Sequence, residues 1–445
     1  MEENPPNACI SIFPAIPDGG GVRKPHHSPI RNLDFDRLNV VSALGRGAKG
    51  VVFLVRDCGI SGESLALKVI LRESIEGKRR KKKTKGESED GDGDEYRRVS
   101  FEQGVLSRFE HPLFPRLRGV LATEKVVGYA IDYCPGRDLN SLRKRQTEKM
   151  FSDEIIRFYA AELVLALEYL HDQGIVYRDL KPDNVMIQEN GHIMLVDFDL
   201  STKLPPRTPQ QSSPSSAPLT AKPPTAKRRF FPFHRLCNSG ISPDESVRGG
   251  DSAVAPESDS SGGKSNSFVG TEEYVAPEVI SVDGHDFAVD WWSLGVVLYE
   301  MLYGTTPFRG SNRKETFYNI LTKPPDLVGE TTPLRDLIRR LLEKDPSRRI
   351  TVEGIKGHDF FRGVNWNLVL WVSRPPYIPS PENGENDGVT KIDVENFVEE
   401  VFSARDDNGN DNGEQNTKHN TDRNVDEKNT ARVKEGLVDN EFLVF

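Results

Sequence analysis

From Leu38 onward, short apolar runs alternate with polar positions and are cut by glycines, as in "LNVVSALGRG", "GVVFLVRD" and "SLALKVIL". A period near two with β-branched residues predicts strands. A basic block, "KRRKKKTK" (78–85), then meets an acidic one, "ESEDGDGDE" (87–95), and the mixture reads as a solvated loop. Helical spacing resumes in "SFEQGVLSRF" and is strong in "SDEIIRFYAAELVLALEYLHDQG" (152–174), with Ser152 at the N-cap position, early acids and a stop at Gly174. The run "WWSLGVVLYEMLYG" (291–304) is too short to span a bilayer and contains Glu300, so it predicts a buried helix. Apolar helical pattern extends from Val275 to about Phe361.

The flanks lack that periodicity. Residues 1–33 are rich in Pro, Gly and Asn and are expected to be a disordered tail. Residues 201–266 are dominated by Ser, Pro, Thr and Gly around a basic-aromatic island, "AKRRFFPFHR" (226–235), and read as an insertion without a core of its own. Residues 380–440 are rich in Asn, Asp, Glu and Lys and read as disordered, before an abrupt apolar end, "FLVF" (442–445). A length of 445 residues with 36% hydrophobic content allows one large two-lobed domain with tails. The net charge of -9 argues against wholesale nucleic-acid binding. Four dispersed cysteines without a C-x-x-C pair argue against a disulfide framework or a metal cluster and for a reducing cytosol. No signal peptide precedes them, and a soluble monomer in the cytoplasm is expected.

Candidate chemistry sits in the patterned region. "GRGAKGVV" (Gly45, Arg46, Gly47, Ala48, Lys49, Gly50, Val51, Val52) lies between two predicted strands, and its glycines let backbone N–H groups close over phosphate oxygens. Alone, a Gly-rich hairpin is the commoner meaning. Lys68, in "LALK", stands at a distance suited to a cation reaching the α- and β-phosphates. A helical acid must fix its ammonium: Glu102 is the first choice, and Glu95 the alternative if the helix register differs. In "YRDLKPDN", Asp179 can accept a hydrogen bond from a substrate hydroxyl and take its proton, Lys181 can neutralise charge on a moving phosphoryl group and Asn184 can hold a metal ion. Asp197 of "DFD" would bridge the metal to the phosphates. Asp199 stands where such segments usually carry Gly. It leaves Asp197 available for the metal, tolerates a positive φ if one is needed, and stiffens the segment.

In order and at workable spacings, these motifs resemble protein kinases, from about Asp36 to Phe361. "YRDLKPDN", "GTEEYVAPE" and "DWWSLGVVLYEM" are similar to the AGC group of serine/threonine kinases, in which Tyr177 commonly replaces His. "DFD", the long insertion and the terminal F-x-x-F resemble its plant-specific subfamily. The resemblance implies an α+β, bilobal fold: a mainly β N-lobe (37–131), a mainly helical C-lobe (133–361) and an AGC-type tail (362–445). ATP and Mg2+ are the implied cofactors. Asp132 and Cys134 then offer backbone groups to adenine, with Ile131 gating the pocket behind. Glu278 pairs with Arg349, and Thr271 touches Asp179 and Lys181.

The same resemblance implies that Asp138, Asp183 and Glu300 receive basic residues upstream of a Ser or Thr acceptor. Ser267 takes the place of the activation-segment phosphosite, near Arg178. Phe442 and Phe445 form a docking motif for an upstream phosphoinositide-dependent kinase. The basic-aromatic island suggests peripheral contact with an anionic plasma membrane or, by the same charges, nuclear import. No specific nucleic-acid partner is expected, although "KRRKKKTK" admits a nuclear or nucleic-acid reading. A catalytically dead scaffold is the rival class. Retention of Lys68, Asp179, Asn184 and Asp197 favours an enzyme, and the likeness points to stress, defence or growth signalling.

Overall fold

The structure, a computed structural model, describes residues 30–47, 50–58, 62–75, 94–204, 270–281, 284–373, 375–380, 392–403 and 443–444. Its N-lobe is a sheet ordered β1-β5-β6-β4-β3-β2-β11, built from β1 (Arg31–Leu33), β2 (Leu38–Arg46), β3 (Gly50–Asp57), β4 (Ser64–Leu71), β5 (Leu117–Ala122), β6 (Val126–Asp132) and β11 (Leu443–Val444). β2 to β4 form an antiparallel meander, and β4 pairs with β6 so that Lys68 lies opposite Tyr129. Alternation along β4 divides its side chains: Leu65, Leu67 and Val69 are buried on one face, while Ala66 and Lys68 point to the other. Gly50 must be glycine for space, because a Cβ there would lie 2.4 Å from the Val69 carbonyl oxygen.

Helix α1 (Asp94–Leu106) runs under the lysine-bearing face and carries Glu102 there. In the C-lobe, short α2 (Leu139–Lys144) precedes α3 (Asp153–Asp172), which begins after Ser152 and gives way to Gly174 at φ 72°. The hairpin of β8 (Val185–Ile187) and β9 (Ile193–Leu195) carries the two metal-site motifs. β7 (Ile175–Val176) pairs with β10 (Thr202–Lys203), so the first residues of the predicted insertion belong to the C-lobe. Beyond α4 (Pro277–Ser281), α5 (Ala288–Tyr303) is buried without a break from Val289 to Met301, as its apolar run predicted. Around it lie α6 (Arg313–Thr322), α7 (Pro333–Leu341) and α8 (Val352–Lys356). Glu278 and Arg349 form a buried two-point bridge at 2.7 and 3.0 Å, and Arg349 also donates to the Ala288 carbonyl. Among the described residues, no helix is long and apolar enough to cross a membrane.

Two stretches read as disordered are in part structured. Residues 31–33 form β1, parallel to β5, and Leu33 packs where a side chain at Gly119 would clash. Within 380–440, residues 394–403 form α9, whose Val394, Val398 and Val401 recur at helical spacing. They pack on the apolar sheet face made by Phe53, Val55, Leu65, Leu67 and Val69, with Phe397 edge-on to Phe53 at 5.6 Å. The polar composition of the surrounding tail hid this single stripe. The outer core of the N-lobe is therefore completed by the tail.

Replacing Val398, which is fully buried, with Ala should lower stability by about 1–3 kcal/mol. Glu400→Ala, on the exposed side of the same helix, should leave it unchanged. Thermal unfolding of the full chain checks this, and equal midpoints for both variants would remove α9 from the core.

Candidate active site

Lys68 Nζ sits between two carboxylates, 3.1–3.2 Å from both oxygens of Glu102 and 3.2 Å from Oδ1 of Asp197. Glu102 rather than Glu95 is thus the partner, and its Oε1 also accepts the backbone N–H of Phe198 at 3.1 Å. Burial acts to lower the Lys68 pKa, but Asp197 and then Glu102 outweigh it and hold the ammonium well above its ordinary value. Burial also acts to raise Asp197, yet the Lys68 cation beside it brings its pKa below the ordinary carboxylate value. Glu102 goes the other way, raised by burial with Lys68 opposing. Asp197 remains ionised and available to a cation.

The backbone turns at Asp197 itself, which has φ 59°, whereas Asp199 is not among the described non-glycine residues with positive φ. Asp199 therefore replaces Gly without left-handed strain. Its N–H bonds to the Asp197 carboxylate, which helps keep that group charged.

Across the cleft floor, Asp179 meets Lys181 Nζ at 3.1 Å and accepts from the Thr271 hydroxyl at 2.8 Å, and Lys181 also reaches Thr271 at 3.4 Å. Burial raises the Asp179 pKa against the opposing pull of Lys181 and Thr271. Asn184 donates to the Asp179 backbone and side chain at 2.9 and 3.0 Å, which leaves its buried Oδ1 without a partner. An unfilled amide oxygen on the same β8–β9 hairpin as a charged carboxylate suits a hard divalent cation, with further oxygens supplied by phosphates and water. Among the described residues no cluster of three acidic, His or Cys ligands competes for that role.

Sequence reasoning passed over Asp290, although it stands in a quoted motif. Wholly buried, it accepts the N–H groups of Tyr177 and Arg178 at 2.9 and 2.8 Å and bonds His171 at 2.8 Å. An acid opening an apolar helix was the signal. Arg178 needs this support, because it too has a left-handed backbone, with φ 69°.

The other expected positions behave differently from one another. Gly47 N–H bonds the Gly50 carbonyl at 2.8 Å and closes the Gly-rich turn, with Val51 buried in the cluster beneath α9 and Val52 opposite Lys68. Gly45 and Arg46 end β2, while Ala48 and Lys49 lie outside the described residues. The Asp132 carboxylate is taken up by Arg116 and Arg118. Cys134 is buried against Met194, and burial pushes its thiol pKa up. Asp138 is buried as the N-cap of α2, accepting from Ser141 N–H and Oγ at 2.7 Å each. Glu300 is held by Arg143 at 2.8 Å and by the Tyr274 hydroxyl, and half-buried Asp183 accepts from Asn140 at 2.9 Å. Ser267, Phe442, Phe445 and both basic islands lie outside the described residues.

The protein kinase domain family matches this chain over residues 38–220 and 244–361. The chain belongs to the protein kinase family. It is 74% identical over 380 residues to serine/threonine-protein kinase OXI1 of Arabidopsis thaliana, covering 84% of this chain and 87% of that one. It is 43% identical to serine/threonine-protein kinase UCN of the same plant (81% of this chain, 88% of the relative). To serine/threonine-protein kinase AGC1-5, also of Arabidopsis, it is 38% identical (78% and 60%). It is a serine/threonine kinase of the AGC group, using ATP and a divalent metal.

Each residue then has a task. Lys68, held by Glu102, would face the phosphates as a fixed cation, with the Gly-rich turn closing over them. Asp197 and Asn184 Oδ1 would hold the metal, which when bound screens phosphate charge. Asp179 would orient the acceptor hydroxyl and take its proton late, while Lys181, 3.1 Å from it, would balance charge on the moving group.

Asp197→Asn should lower phosphoryl transfer by about a thousandfold, whereas Asp199→Gly should keep most of it. A radiolabel assay decides, and tolerance of Asp197→Asn with loss at Asp199→Gly would reverse the assignment. The pH profile offers a second check. A raised Asp179 pKa places the acidic limb of kcat above the ordinary Asp value, with activity lost as pH falls through it. Thr271→Ala removes a donor to the charged form, so the pKa rises further and the limb moves to higher pH. A limb that stays put or moves to lower pH would contradict this.

Proposed function

We propose that this kinase transfers the γ-phosphate of MgATP to Ser or Thr in protein segments with basic residues upstream of the acceptor. The observation that carries this reading is a shared negative field beside the catalytic loop. The Glu300 pKa is raised first by burial, against Tyr274 and Arg143, and then further by the charges of Asp183 and Glu273. A site that holds several carboxylates within reach of one another favours a cationic ligand. Asp183 is the most accessible of the three predicted acids, since Asp138 caps a helix and Glu300 is buried with Arg143. Asp183→Asn should therefore lower kcat/KM about tenfold on a peptide with upstream Arg and leave a neutral peptide unaffected. Equal effects on both peptides would sink the basic-substrate reading.

The kinase itself is switched on at Ser267 by an upstream phosphoinositide-dependent kinase that docks on Phe442 and Phe445. Two terminal aromatic side chains offer apolar burial for transient delivery, and a phosphate at Ser267 adds about -1.5 to -2 charge for Arg178 to pair with. Phe442→Ala/Phe445→Ala should slow Ser267 phosphorylation strongly in a Lys68→Ala background, which removes autophosphorylation. An unchanged rate would leave the terminal motif without this role. The enzyme works in the cytoplasm, with access to anionic plasma membrane or nucleus through "AKRRFFPFHR". Similarity to OXI1 supports oxidative-stress, defence or growth signalling as its context.

A further inference from the structure

The β8–β9 hairpin sets the spacing of the two residues that would hold the metal, since Asn184 precedes its first strand and Asp197 follows its second. Three residue pairs join the strands: Val185 with Leu195, Met186 with Met194 and Ile187 with Ile193. So short a ribbon does not fix its own register. At the metal end, the Val196 N–H bonds the Asn184 carbonyl at 3.1 Å. At the turn end, a side-chain carboxylate takes the place of a third strand. Glu162, wholly buried on α3, accepts the Ile193 N–H at 2.9 Å with Oε2 and bonds Nδ1 of the buried His192 with Oε1. The other ring nitrogen, Nε2, lies 3.0 Å from the Val372 carbonyl. Neither Glu162 nor His192 has a task in the chemistry described above.

The contacts also fix the protons. A carbonyl only accepts, so Nε2 carries a hydrogen, and Nδ1 and the carboxylate share one more. Burial acts to lower the His192 pKa, but Glu162 and then the Val372 carbonyl bring it above the ordinary histidine value. Burial raises the Glu162 pKa, with His192 opposing. Both directions retain the shared proton at neutral pH. Of the other titratable groups nearby, Tyr159 on α3 lies close to Glu162 and to Tyr377, and burial raises its pKa so that it stays neutral. Glu189, in the hairpin turn, is exposed.

We propose that Glu162 is a positioning residue for the metal: by gripping His192 and Ile193 it holds the β8–β9 hairpin in register, and with it the spacing of Asn184 Oδ1 and the Asp197 carboxylate. A one-residue slip at the turn would send every side chain of β9 to the opposite face. Glu162 stands at the end of the hairpin away from the cation, so its effect reaches the metal through the strands. Groups that orient ligands in this way govern metal affinity nearly as strongly as the ligands themselves.

The test uses the full chain and reads Mn2+ affinity at saturating ADP from the loss of the free Mn2+ electron paramagnetic resonance signal. The thermal midpoint of each variant is measured alongside, and binding is read at a temperature where all are folded. Glu162→Met fills the volume but accepts no hydrogen bond, and should weaken Mn2+ binding about tenfold. Glu162→Gln should stay within about twofold of wild type, because its carbonyl accepts from Ile193 and its amide donates to Nδ1 of a neutral His192. Both variants lose the charge, so the difference between them reads the hairpin geometry. The pH dependence reads the shared proton. In the wild type, the contribution of a raised His192 pKa is full below the ordinary histidine value and shrinks as pH rises towards the raised one. In Glu162→Gln the ring has no acid beside it and stays neutral. The wild-type midpoint should therefore fall relative to Glu162→Gln as pH is raised from about 6 to about 8. Wild-type Mn2+ affinity in Glu162→Met, equal weakening in the Met and Gln variants, or a midpoint gap that ignores pH would each overturn the proposal.

Discussion

The site depends on one ammonium held between two carboxylates from different parts of the fold. Lys68 comes from the central sheet, Glu102 from α1 and Asp197 from the end of the β8–β9 hairpin in the C-lobe. None of the three would be comfortable alone at that depth, since burial penalises each charge. Together they satisfy one another, and the contact requires sheet, α1 and hairpin to be in place at once. The Phe198 N–H bonded to Glu102 adds a backbone link to the same junction. Electrostatics here specify geometry as much as they supply stability.

A second buried charge organises the floor of the cleft. Asp290 uses both carboxylate oxygens on backbone N–H groups of the catalytic loop, and it does so from a helix buried along nearly its whole length. A rigid apolar rod thus carries a polar hook, and the left-handed turn at Arg178 is kept in place by it. Asp179, Lys181 and Asn184 follow within the next few residues and inherit that precision. Above, the sheet that bears Lys68 has its opposite face covered by α9.

Most of the catalytic set was legible in the sequence because charged residues at strand ends and in tight loops stand out from apolar surroundings. Lys68, Asp179, Asn184 and Asp197 each follow or adjoin a short apolar run, and the fold brings all four to one cleft. Less legible was what a given acid would be used for. Asp138 matches a substrate-facing position, but Ser141 three residues on turns it into a helix cap, and only three-dimensional geometry reveals that. Asp290 was hidden because an acid in an apolar helix looks like an interruption until its partners are known. Helix α9 escaped because three valines at helical spacing are diluted by dozens of polar neighbours, and their partner face lies more than three hundred residues earlier in the chain. Asp199 could be judged harmless from the sequence, and the backbone gives the reason: the left-handed residue is Asp197.

The claim that Glu102 orients Lys68 for catalysis is tested most directly by the kcat of Glu102→Gln at saturating ATP. Glutamine keeps the size and hydrogen-bonding capacity of the side chain but removes the charge that fixes the ammonium. The account predicts a fall of about a hundredfold in kcat with the fold retained. A variant with near wild-type kcat would show that Lys68 is positioned without Glu102, and would contradict the account at its centre.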